Sequence, residues 1–381
     1  MSLKLDKSTW KRVAFGDVVR NVNITVRDPE AAGIDRVIAM EHMDPGELKI
    51  QRWGALEEGA TFTRRVKPGQ TLFGKRRAYQ RKVAYAEFDA ICSGDILTFE
   101  ADEAHMFPGF LPFLVQSNDF FDHALDTSAG SLSPRTNWRD LANFRFGLPP
   151  LDEQMRIAGL FWAVERHREA VAGAGESLKA CQGPLMAVEA AAFVTVGDVL
   201  AIARSGATPL RSNKAFYGGS IPWLKSGEVV GDGIASTGET ITDEGLAGSA
   251  TWLVPSGAVV VAMYGDGKTR GQVGRLGTPM ATNQAVLALV ADETECDPDF
   301  LYYWLRSRQE ELRNKGAGAA QKNLSKGLVM SEPFPDLPVE EQRAAVQHLK
   351  RIDIARGELK TELDRLSVLR SSLLAEVFGD N

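Results

Sequence analysis

Basic side chains concentrate in one short stretch of the first half of the chain. Between Gly59 and Ala86 there are eight lysines and arginines and no aspartate or glutamate. They are Arg64, Arg65, Lys67, Lys75, Arg76, Arg77, Arg81 and Lys82. Cationic groups at this density attract anionic partners such as phosphate. We therefore predict a local cationic surface here, the alternative being an exposed strand face with solvated charges.

Catalytic chemistry finds little support in the sequence. Ala262-Met-Tyr-Gly-Asp-Gly-Lys-Thr269 imitates the end of a phosphate-binding loop, but Ala262 stands where the first glycine belongs and no strand with a metal-binding aspartate is evident. The strings Asn-Pro-Pro-Tyr and Asp-Pro-Pro-Tyr, which serve adenine methylation, are absent. The five histidines and three cysteines lack metal-ligand spacing. We predict a non-catalytic chain with no catalytic residue and no metal site.

Composition and charge leave the partner open. The chain has 381 residues, of which 44% are hydrophobic and 25% charged, values ordinary for a globular protein of two or three domains. Its net charge of −6 argues at first against a nucleic-acid partner, although the distribution of charge matters more than its sum. Neither a signal peptide nor an apolar run long enough to span a membrane is visible, which favours a cytoplasmic protein. The cysteines are predicted to be small core or helix residues.

The chain is a tandem duplication. Leu148-Pro-Pro-Leu-Asp-Glu-Gln154 and Asp336-Leu-Pro-Val-Glu-Glu-Gln342 repeat one string, with Gln154 corresponding to Gln342, and each opens a long apolar-periodic segment. Phe15-Gly-Asp-Val-Val19 likewise matches Val196-Gly-Asp-Val-Leu200 near the start of each half. A repeat of this length indicates two domain-sized units rather than a solenoid.

The order of elements within each half is also shared. Strand-like Leu97–Asp102 corresponds to Leu287–Asp292, and helix-like Phe110–Ser117 corresponds to Phe300–Ser307, with the same spacing in both cases. Gly- and Pro-bounded apolar runs such as Ala258–Met263 predict further strands. Each half is therefore predicted to be an α+β globule that ends in a long helix.

The long helices are predicted from about Asp152 to Gly183 and from about Glu340 to Phe378. Each carries one apolar stripe at heptad spacing and has no partner within its own half. The first stripe would use two rows of residues. They are Ile157, Val164, Val171, Leu178 and Leu185 in one row, and Leu160, His167, Ala174, Cys181 and Val188 in the other. We predict that the helices pair as a coiled coil, parallel or antiparallel; the alternative is that each docks on its own domain.

This arrangement resembles the specificity subunit of type I restriction-modification systems over essentially the whole chain. The two repeated Pro and Glu-Gln strings carry the resemblance. In the second half, Ile221-Pro-Trp-Leu-Lys-Ser-Gly-Glu228, Tyr264-Gly-Asp-Gly-Lys-Thr-Arg-Gly271 and Ala281-Thr-Asn-Gln-Ala-Val286 also resemble that family. The first half departs from it, because Leu72-Phe-Gly-Lys-Arg-Arg77 and Cys92-Ser-Gly-Asp95 replace the last two signatures.

The resemblance implies a fold and a division of labour. It implies two tandem target-recognition domains, each followed by a long helix, with the helices packed as an antiparallel coiled coil that gives pseudo-two-fold symmetry. The predicted segments are residues 1–150 for the first recognition domain, 151–193 for the central helical spacer, 194–337 for the second recognition domain and 338–381 for the C-terminal spacer. The domains would read a bipartite, asymmetric target in double-stranded DNA, and the helices would set the distance between its two parts.

Partners would supply the chemistry. The resemblance implies two methylation subunits bound through the helices, together with restriction or translocase subunits where the host has them, and no membrane. It implies no cofactor in this chain, since S-adenosylmethionine would bind the methylation subunits.

Candidate DNA-binding residues combine cations for phosphates with forked donors and acceptors for bases. In the first domain they are Lys75, Arg76, Arg77, Tyr79, Gln80, Arg81, Lys82, Arg135 and Asn137. In the second they are Tyr264, Lys268, Thr269, Arg270, Gln272, Thr282, Asn283, Gln284, Lys322 and Asn323. Thr282 to Gln284 have an alternative role as turn residues.

Two other functions remain open at this point. One is an accessory DNA-recognition subunit of another phage-defence or modification system with the same architecture. The other is a two-domain enzyme whose site lies between the halves, which stoichiometric nucleotide binding by the isolated chain would favour.

Overall fold

The computed structural model describes residues 5–59, 61–130, 132–186, 192–265, 267, 269–315 and 323–379. The chain forms two compact units. The first contains Met1–Ala172 and Thr361–Asn381, and the second contains Gly173–Lys360. Each unit therefore combines a globular part with a segment of each of two long helices, so neither helix belongs to one unit alone.

The first unit is an α+β globule. Its strands are β1 (Lys11–Ala14), β2 (Val19–Asn21), β3 (Val37–Ile38), β4 (Arg64–Val66), β5 (Thr71–Gly74), β6 (Val83–Tyr85), β7 (Ala90–Cys92), β8 (Ile96–Ala101) and β9 (Arg145–Leu148). Its helices are α1 (Phe15–Val18), α2 (Leu111–Gln116), α3 (Asn118–Asp126), α4 (Trp138–Leu141) and the first part of α5 (Leu151–Met186). The sheets have the strand orders β2-β8-β5-β6, β3-β7-β4 and β1-β9.

Aromatic packing holds the first globular part together. Phe15, Phe73, Phe99 and Phe120 are fully buried, and their ring centroids lie 5.0–6.0 Å apart. Edge-to-face and offset contacts at this spacing add to the free energy of burying the rings themselves. Phe15 opens the Phe-Gly-Asp-Val-Val string, so this part of the repeat contributes to the core.

The second unit repeats this plan. Its strands are β10 (Phe193–Thr195), β11 (Leu200–Ser205), β12 (Tyr217–Leu224), β13 (Gly231–Ile234), β14 (Thr240–Ile241), β15 (Val259–Ala262), β16 (Val273–Leu276), β17 (Ala281–Thr282), β18 (Val286–Ala291) and β19 (Pro333–Pro335). Its helices are α6 (Asp243–Ala247), α7 (Pro298–Ser307), α8 (Gln309–Lys315), α9 (Lys326–Met330) and the first part of α10 (Val339–Phe378). The sheets have the orders β11-β18-β15-β16-β13, β14-β12-β17 and β10-β19.

The predicted α+β class and the two long helices are confirmed. Strands β8, β15 and β18 and helices α2 and α7 lie within two residues of the predicted segments. Strand β15 is fully buried, as a continuous valine run predicts. Helix α7 begins at Pro298, two residues before the predicted start, because the Asp297 carboxylate accepts hydrogen bonds from the backbone N–H groups of Asp299 and Phe300.

The long helices pair in antiparallel order, which is visible within the first unit. Phe161 of α5 stacks on Phe378 of α10 at 6.3 Å, Glu165 contacts Arg370 at 2.5 Å, and His167 lies 3.4 Å from Glu362. Residue numbers thus rise along α5 as they fall along α10. The heptads left the direction of pairing open, and these contacts settle it.

Only one of the two predicted apolar rows of α5 is buried. In the first row, Ile157, Val164 and Val171 are at most 7% exposed. In the second row, the described residues Leu160, His167, Ala174 and Cys181 are exposed. The side chains of Leu185 and Val188, one from each row, lie outside the described part of the chain.

Among the apolar residues of α5, Ala158 and Phe161 are buried in place of the second row, and each directly follows a residue of a predicted row. The second row was wrong because this segment of α5 packs on its own globular part as well as on α10. Packing on two neighbours widens and shifts the buried face of a helix relative to a simple coiled-coil seam.

The glutamine of each repeated string ties a long helix to its globular part. Gln154 is fully buried; its Oε1 accepts from the N–H of Phe107, and its Nε2 donates to the carbonyls of His105 and Pro149 at 3.0 and 2.8 Å. Gln342 accepts from Asp297 at 2.9 Å and donates to Glu295 and Leu337 at 3.0 and 2.9 Å. The string repeats because it forms the same joint twice.

A second joint uses a glutamate in one unit and an aspartate in the other. Glu165 of α5 contacts Arg168 at 2.9 Å and Arg370 of α10. At the equivalent place in the repeat, Asp353 of α10 contacts Arg306 of α7 at 2.8 Å and accepts from Gln182 of α5 at 2.7 Å. Each acid therefore binds a partner on the opposite long helix of its own unit.

The cysteines fit their predicted roles. Cys92 and Cys296 are buried, and burial raises the pKa of each thiol to about 12, while Cys181 is exposed on α5. Within the described ranges, no three His, Cys, Asp or Glu side chains gather as metal ligands would. Over the same residues, neither the long helices nor the short ones include a stretch of membrane-spanning length and apolarity.

Candidate nucleic-acid interface

Three distant segments of the first unit meet at Lys75, directly after strand β5. The Lys75 N–H donates to the carbonyl of Asp95 at 2.9 Å, and its carbonyl accepts from the N–H of Thr136 at 2.9 Å. Arg76 and Arg135 flank this junction and pair as an isolated β-bridge. The fold thereby brings together the predicted residues of two separate stretches of sequence.

The second unit contains the same junction at Met263, after strand β15. The Met263 N–H donates to the carbonyl of Ala285 at 2.8 Å, and its carbonyl accepts from the N–H of Leu324 at 3.1 Å. Tyr264, Gln284 and Asn323 therefore lie next to one backbone junction. The three groups of residues predicted in this half converge.

Side chains at the first junction form a cationic cluster around one acid. Asp95 lies 3.4 Å from Arg76 and 3.3 Å from Arg135, and the Arg76 Nε donates to the Ser133 hydroxyl at 2.7 Å. Burial, with help from the charges of Arg64 and Arg135, lowers the pKa of the half-buried Lys75, and Asp95 opposes this shift. Cations crowded in this way gain from an added anion.

A tight turn follows the cluster. Arg77 and Arg81 both adopt left-handed backbone conformations, with φ of 56° and 53°, around a short helical turn at Ala78–Gln80. Such conformations cost on the order of 1 kcal/mol each in residues other than glycine and collect at functional sites. The turn leaves the Tyr79 ring 56% exposed, as a base-stacking or groove-contacting side chain requires.

The Arg76–Asp95 pair lines a cleft of about 350 Å³. Its wall also includes Glu41, Arg77 and Gln80. The cleft is open and mixes both charges, so it offers donors and acceptors for the edge of a base rather than an apolar pocket for a small ligand.

Several other residues of the predicted cationic run have partners outside this cluster. Arg81 donates to Asn118 at 2.6 Å and covers the ring of Phe121, and Lys82 donates to the Met40 carbonyl at 2.6 Å. Arg65 pairs with Asp89 at 2.8 Å. The run has no acid of its own, but folding supplies partners from other segments. Asn137, at the start of α4, is exposed and its side chain makes no cap hydrogen bond.

The loop after β15 holds the next predicted residues. Tyr264 is 41% exposed, while Thr269, Arg270 and Gln272 are half-buried. The backbones of the last three close the loop: Thr269 accepts from the N–H of Gln272 at 3.1 Å, and Arg270 accepts from the side chain of Arg313 at 3.1 Å. Lys268 and Lys322 lie outside the described residues.

The Thr-Asn-Gln segment divides into three roles. Thr282 is fully buried in β17, because the Gly206–Ala207 segment covers it and the Ala207 N–H donates to its carbonyl. The Asn283 side chain accepts from the N–H of Ala285 at 3.0 Å, as a turn residue does. The exposed Gln284 accepts from the Thr208 hydroxyl at 2.6 Å. Burial makes direct contact by the Thr282 side chain incompatible with this conformation, whereas Gln284 is accessible.

A charged cluster beside the second junction was not predicted. Glu239 accepts two hydrogen bonds from Arg211, at 2.5 and 3.1 Å, and one from Lys225 at 3.0 Å. The Arg211 guanidinium also lies 4.7 and 4.8 Å from the ring centroids of Tyr217 and Trp223. Lys225 belongs to the Ile-Pro-Trp-Leu-Lys string and could have been suspected, but Arg211 and Glu239 stand in stretches without a motif.

Acid should weaken this cluster. The hydrogen bonds from Arg211 and then Lys225 lower the pKa of Glu239 from 4.5 to about 2. Because its folded-state pKa is the lower one, the carboxylate stabilises the fold above pH 4.5, and this contribution disappears as the pH falls toward 2. We expect Glu239→Gln to lose less stability than the parent chain over that interval, measured by urea unfolding at pH 5 and pH 3.

The exposed Glu244 of α6 provides a control for this prediction. Glu244→Gln removes one carboxylate from the same unit and should keep the pH dependence of the parent chain. If the free energy of unfolding falls equally between pH 5 and pH 3 in the Glu239 variant and the parent chain, the prediction is contradicted.

Comparison with known proteins agrees with this geometry. Residues 189–365 match the family model for the type I restriction modification DNA specificity domain. The Type I restriction enzyme EcoDI specificity subunit of Escherichia coli is 32% identical over 153 residues, which cover 39% of this chain and 33% of that subunit. The matched stretch thus spans about a third of the curated relative's length.

Two solved structures share the fold over nearly the entire chain. One is the S subunit of a type I restriction-modification system from M. genitalium, with a TM-score of 0.61, 17% identity and complete coverage of both chains. The other comes from work on complex assembly and conformational transition of the type I R-M system, with a TM-score of 0.59, 20% identity and coverage of 98% and 99%. Residues 189–365 carry the type I restriction modification DNA specificity domain, and the resemblance inferred from the repeated strings is confirmed.

Proposed function

We propose that this chain is the DNA sequence-specificity subunit of a type I restriction-modification complex and reads a bipartite, asymmetric target. The observation that carries the proposal is the repeated junction. Lys75 and Met263 make the same pair of backbone hydrogen bonds, yet the side chains around them differ in charge and shape. One backbone design with two sets of side chains suits two half-sites of different sequence.

Groups suited to duplex DNA lie at both junctions. Arg76 and Arg135 at the first, and Tyr264, Gln284 and Asn323 at the second, are exposed or half-buried. Arginine, asparagine and glutamine offer the paired donors and acceptors that distinguish bases in the major groove, and tyrosine offers a flat contact surface. In this proposal the exposed lysines and arginines nearby bind phosphates and fix the register of each unit on the duplex.

The long helices serve the rest of the complex. We propose that their exposed faces bind two methylation subunits and, where the host has them, restriction or translocase subunits. Ile354 and Val368 on α10 are 63% and 67% exposed, so they are available for contact with a partner. The chain itself is proposed to be non-catalytic and cytoplasmic, with S-adenosylmethionine held by the methylation subunits.

Mapping of methylated adenines in the host genome tests this function. We expect deletion of the gene to abolish methylation at one bipartite motif with a fixed unread gap, and a wild-type copy to restore it. Single-molecule sequencing of both strains measures the outcome. Methylation that stays unchanged at every motif after deletion contradicts the proposal.

A further inference from the structure

Asp95 contacts both guanidinium groups at the first junction, those of Arg76 and Arg135. Its side chain is 20% exposed and lies between Arg76 and Arg135, which are 43% and 56% exposed. We infer that Asp95 holds these arginines in position to read guanine in the half-site that the first unit contacts. This inference rests on the proposed function and assigns to it a base, two reading residues and one positioning residue.

The anchoring leaves donors for a ligand. A guanidinium carries five N–H donors in a rigid plane. In the contacts described above, Arg76 uses two of them, toward Ser133 and Asp95, and Arg135 uses one, toward Asp95. Both groups are therefore fixed on one side and solvent-accessible, which is the arrangement that preorganised recognition requires.

Guanine is the base that fits this pair. Its major-groove edge presents two adjacent acceptors, O6 and N7, and arginine spans both in a bidentate contact. Adenine places a donor beside N7 and would oppose a guanidinium. A cytosine or thymine edge likewise lacks the two adjacent acceptors.

The second unit supplies an internal comparison. The backbone hydrogen bonds of the two junctions align Asp95 with Ala285. Arg76, which follows the first junction residue, then aligns with Tyr264, and Arg135, which precedes Thr136, aligns with Asn323. Both arginines and the acid are thus replaced together, while the backbone hydrogen bonds remain. The same turn forms around Ala285 in the second unit, so the turn itself does not require an acid at this position. The acid is present only in the unit that also has the two arginines.

The arginine of the charged cluster in the second unit is engaged differently. Arg211 gives both terminal nitrogens to Glu239 and also contacts the rings of Tyr217 and Trp223. Its paired donors are occupied by protein, so it stabilises the second unit rather than offering a fork to a base. The guanine-reading arrangement is accordingly assigned to the first unit.

Genomic methylation tests the residue assignments in the assembled complex. We expect Arg135→Ala or Arg76→Ala to relax one guanine position of one half-site, with a preference over other bases that falls roughly 5- to 150-fold. The other half-site and the gap should stay unchanged. Asn323→Ala is the matched control, and it should alter only the other half-site.

Asp95 has a signature that a merely structural residue would lack. Asp95→Ala removes one negative charge among cations, so the complex should bind unrelated duplex DNA more tightly while its preference at the guanine position falls. Asp95→Asn keeps one acceptor and should restore part of that preference. A uniform loss of methylation with unchanged base preference would assign Asp95 a structural role and contradict the inference.

A modified duplex tests the same contact with the unaltered protein. Replacing the guanine with 7-deazaguanine removes N7 and keeps base pairing, and we expect binding of the wild-type complex to weaken about tenfold. The Arg135→Ala complex should tolerate the change. The guanine assignment is overturned if both half-sites of the bipartite motif lack G·C pairs, or if 7-deazaguanine does not weaken binding of the wild-type complex. Either result leaves the proposed function standing. Absence of any bipartite motif overturns both the assignment and the proposed function.

Discussion

Replacing Glu165 with alanine should lower the free energy of unfolding of the first unit by about 3–5 kcal/mol. Glu165 is 6% exposed and contacts Arg168 and Arg370, whose side chains are 14% and 11% exposed. Burial lowers the pKa of Arg370, and the charge of Glu165 is its principal compensation. Without that carboxylate, the buried Arg370 guanidinium loses its ion pair, whereas Arg168 keeps its contact with Glu47 at 2.6 Å. Urea unfolding of the full chain, followed by circular dichroism, measures the effect.

Glu169 is a matched control on the same helix. It lies 3.3 Å from Lys49, but its side chain is 42% exposed, so Glu169→Ala should cost at most about 1 kcal/mol. A similar small loss for the Glu165 variant would mean that water reaches the Arg168 and Arg370 groups, and it would contradict the assignment of a buried joint.

Gln342→Leu should destabilise the second unit by about 3 kcal/mol or more. The substitution keeps the volume but removes three hydrogen bonds, with the N–H of Asp297 and the carbonyls of Glu295 and Leu337. Each buried backbone group left without a partner costs about 1–3 kcal/mol. The same change also frees the start of α10 from the loop before α7. Thermal unfolding and hydrogen exchange of that loop report the two consequences.

The exposed Gln347, further along α10, controls for the choice of leucine. Gln347→Leu should leave stability within about 0.5 kcal/mol of the parent chain. If Gln342→Leu and Gln347→Leu change stability equally, the glutamine of the repeated string does not stabilise the joint. Contact with a methylation subunit is then the role to test.

Much of the architecture could be predicted from the sequence, because its signals are local or repeated. Helix bounds follow from apolar spacing and caps, so α5 and α10 were placed to within three residues. The constant spacing of the duplication identified equivalent strings, and burial of Gln154 and Gln342 gives those strings a common physical role. Lys75, Arg76 and Tyr264 at the junctions were also predicted, because their side chains can bind phosphates or base edges.

The site's internal organisation could not be predicted in the same way. The sequence marked Asp95 only as the end of Cys92-Ser-Gly-Asp95, a string in which the first half departs from the family. Nothing in the sequence shows that it lies between Arg76 and Arg135. Thr282 was a candidate until the structure placed Gly206 and Ala207 over it. Arg81 belongs to a basic run by sequence but binds Asn118 in the fold.

The sequence by itself thus determined the duplication, the two long helices and the class of residues available for binding. Tertiary structure decided the direction of helix pairing, which side of α5 is buried and which cations keep their donors for a ligand. The physical reason is that periodicity and capping act over a few neighbouring residues, whereas ion pairs and burial depend on strand register and on segments far apart in the chain. Asp95 and Arg135 stand in separate segments of the sequence, with helices α2 and α3 between them, and only folding makes them neighbours.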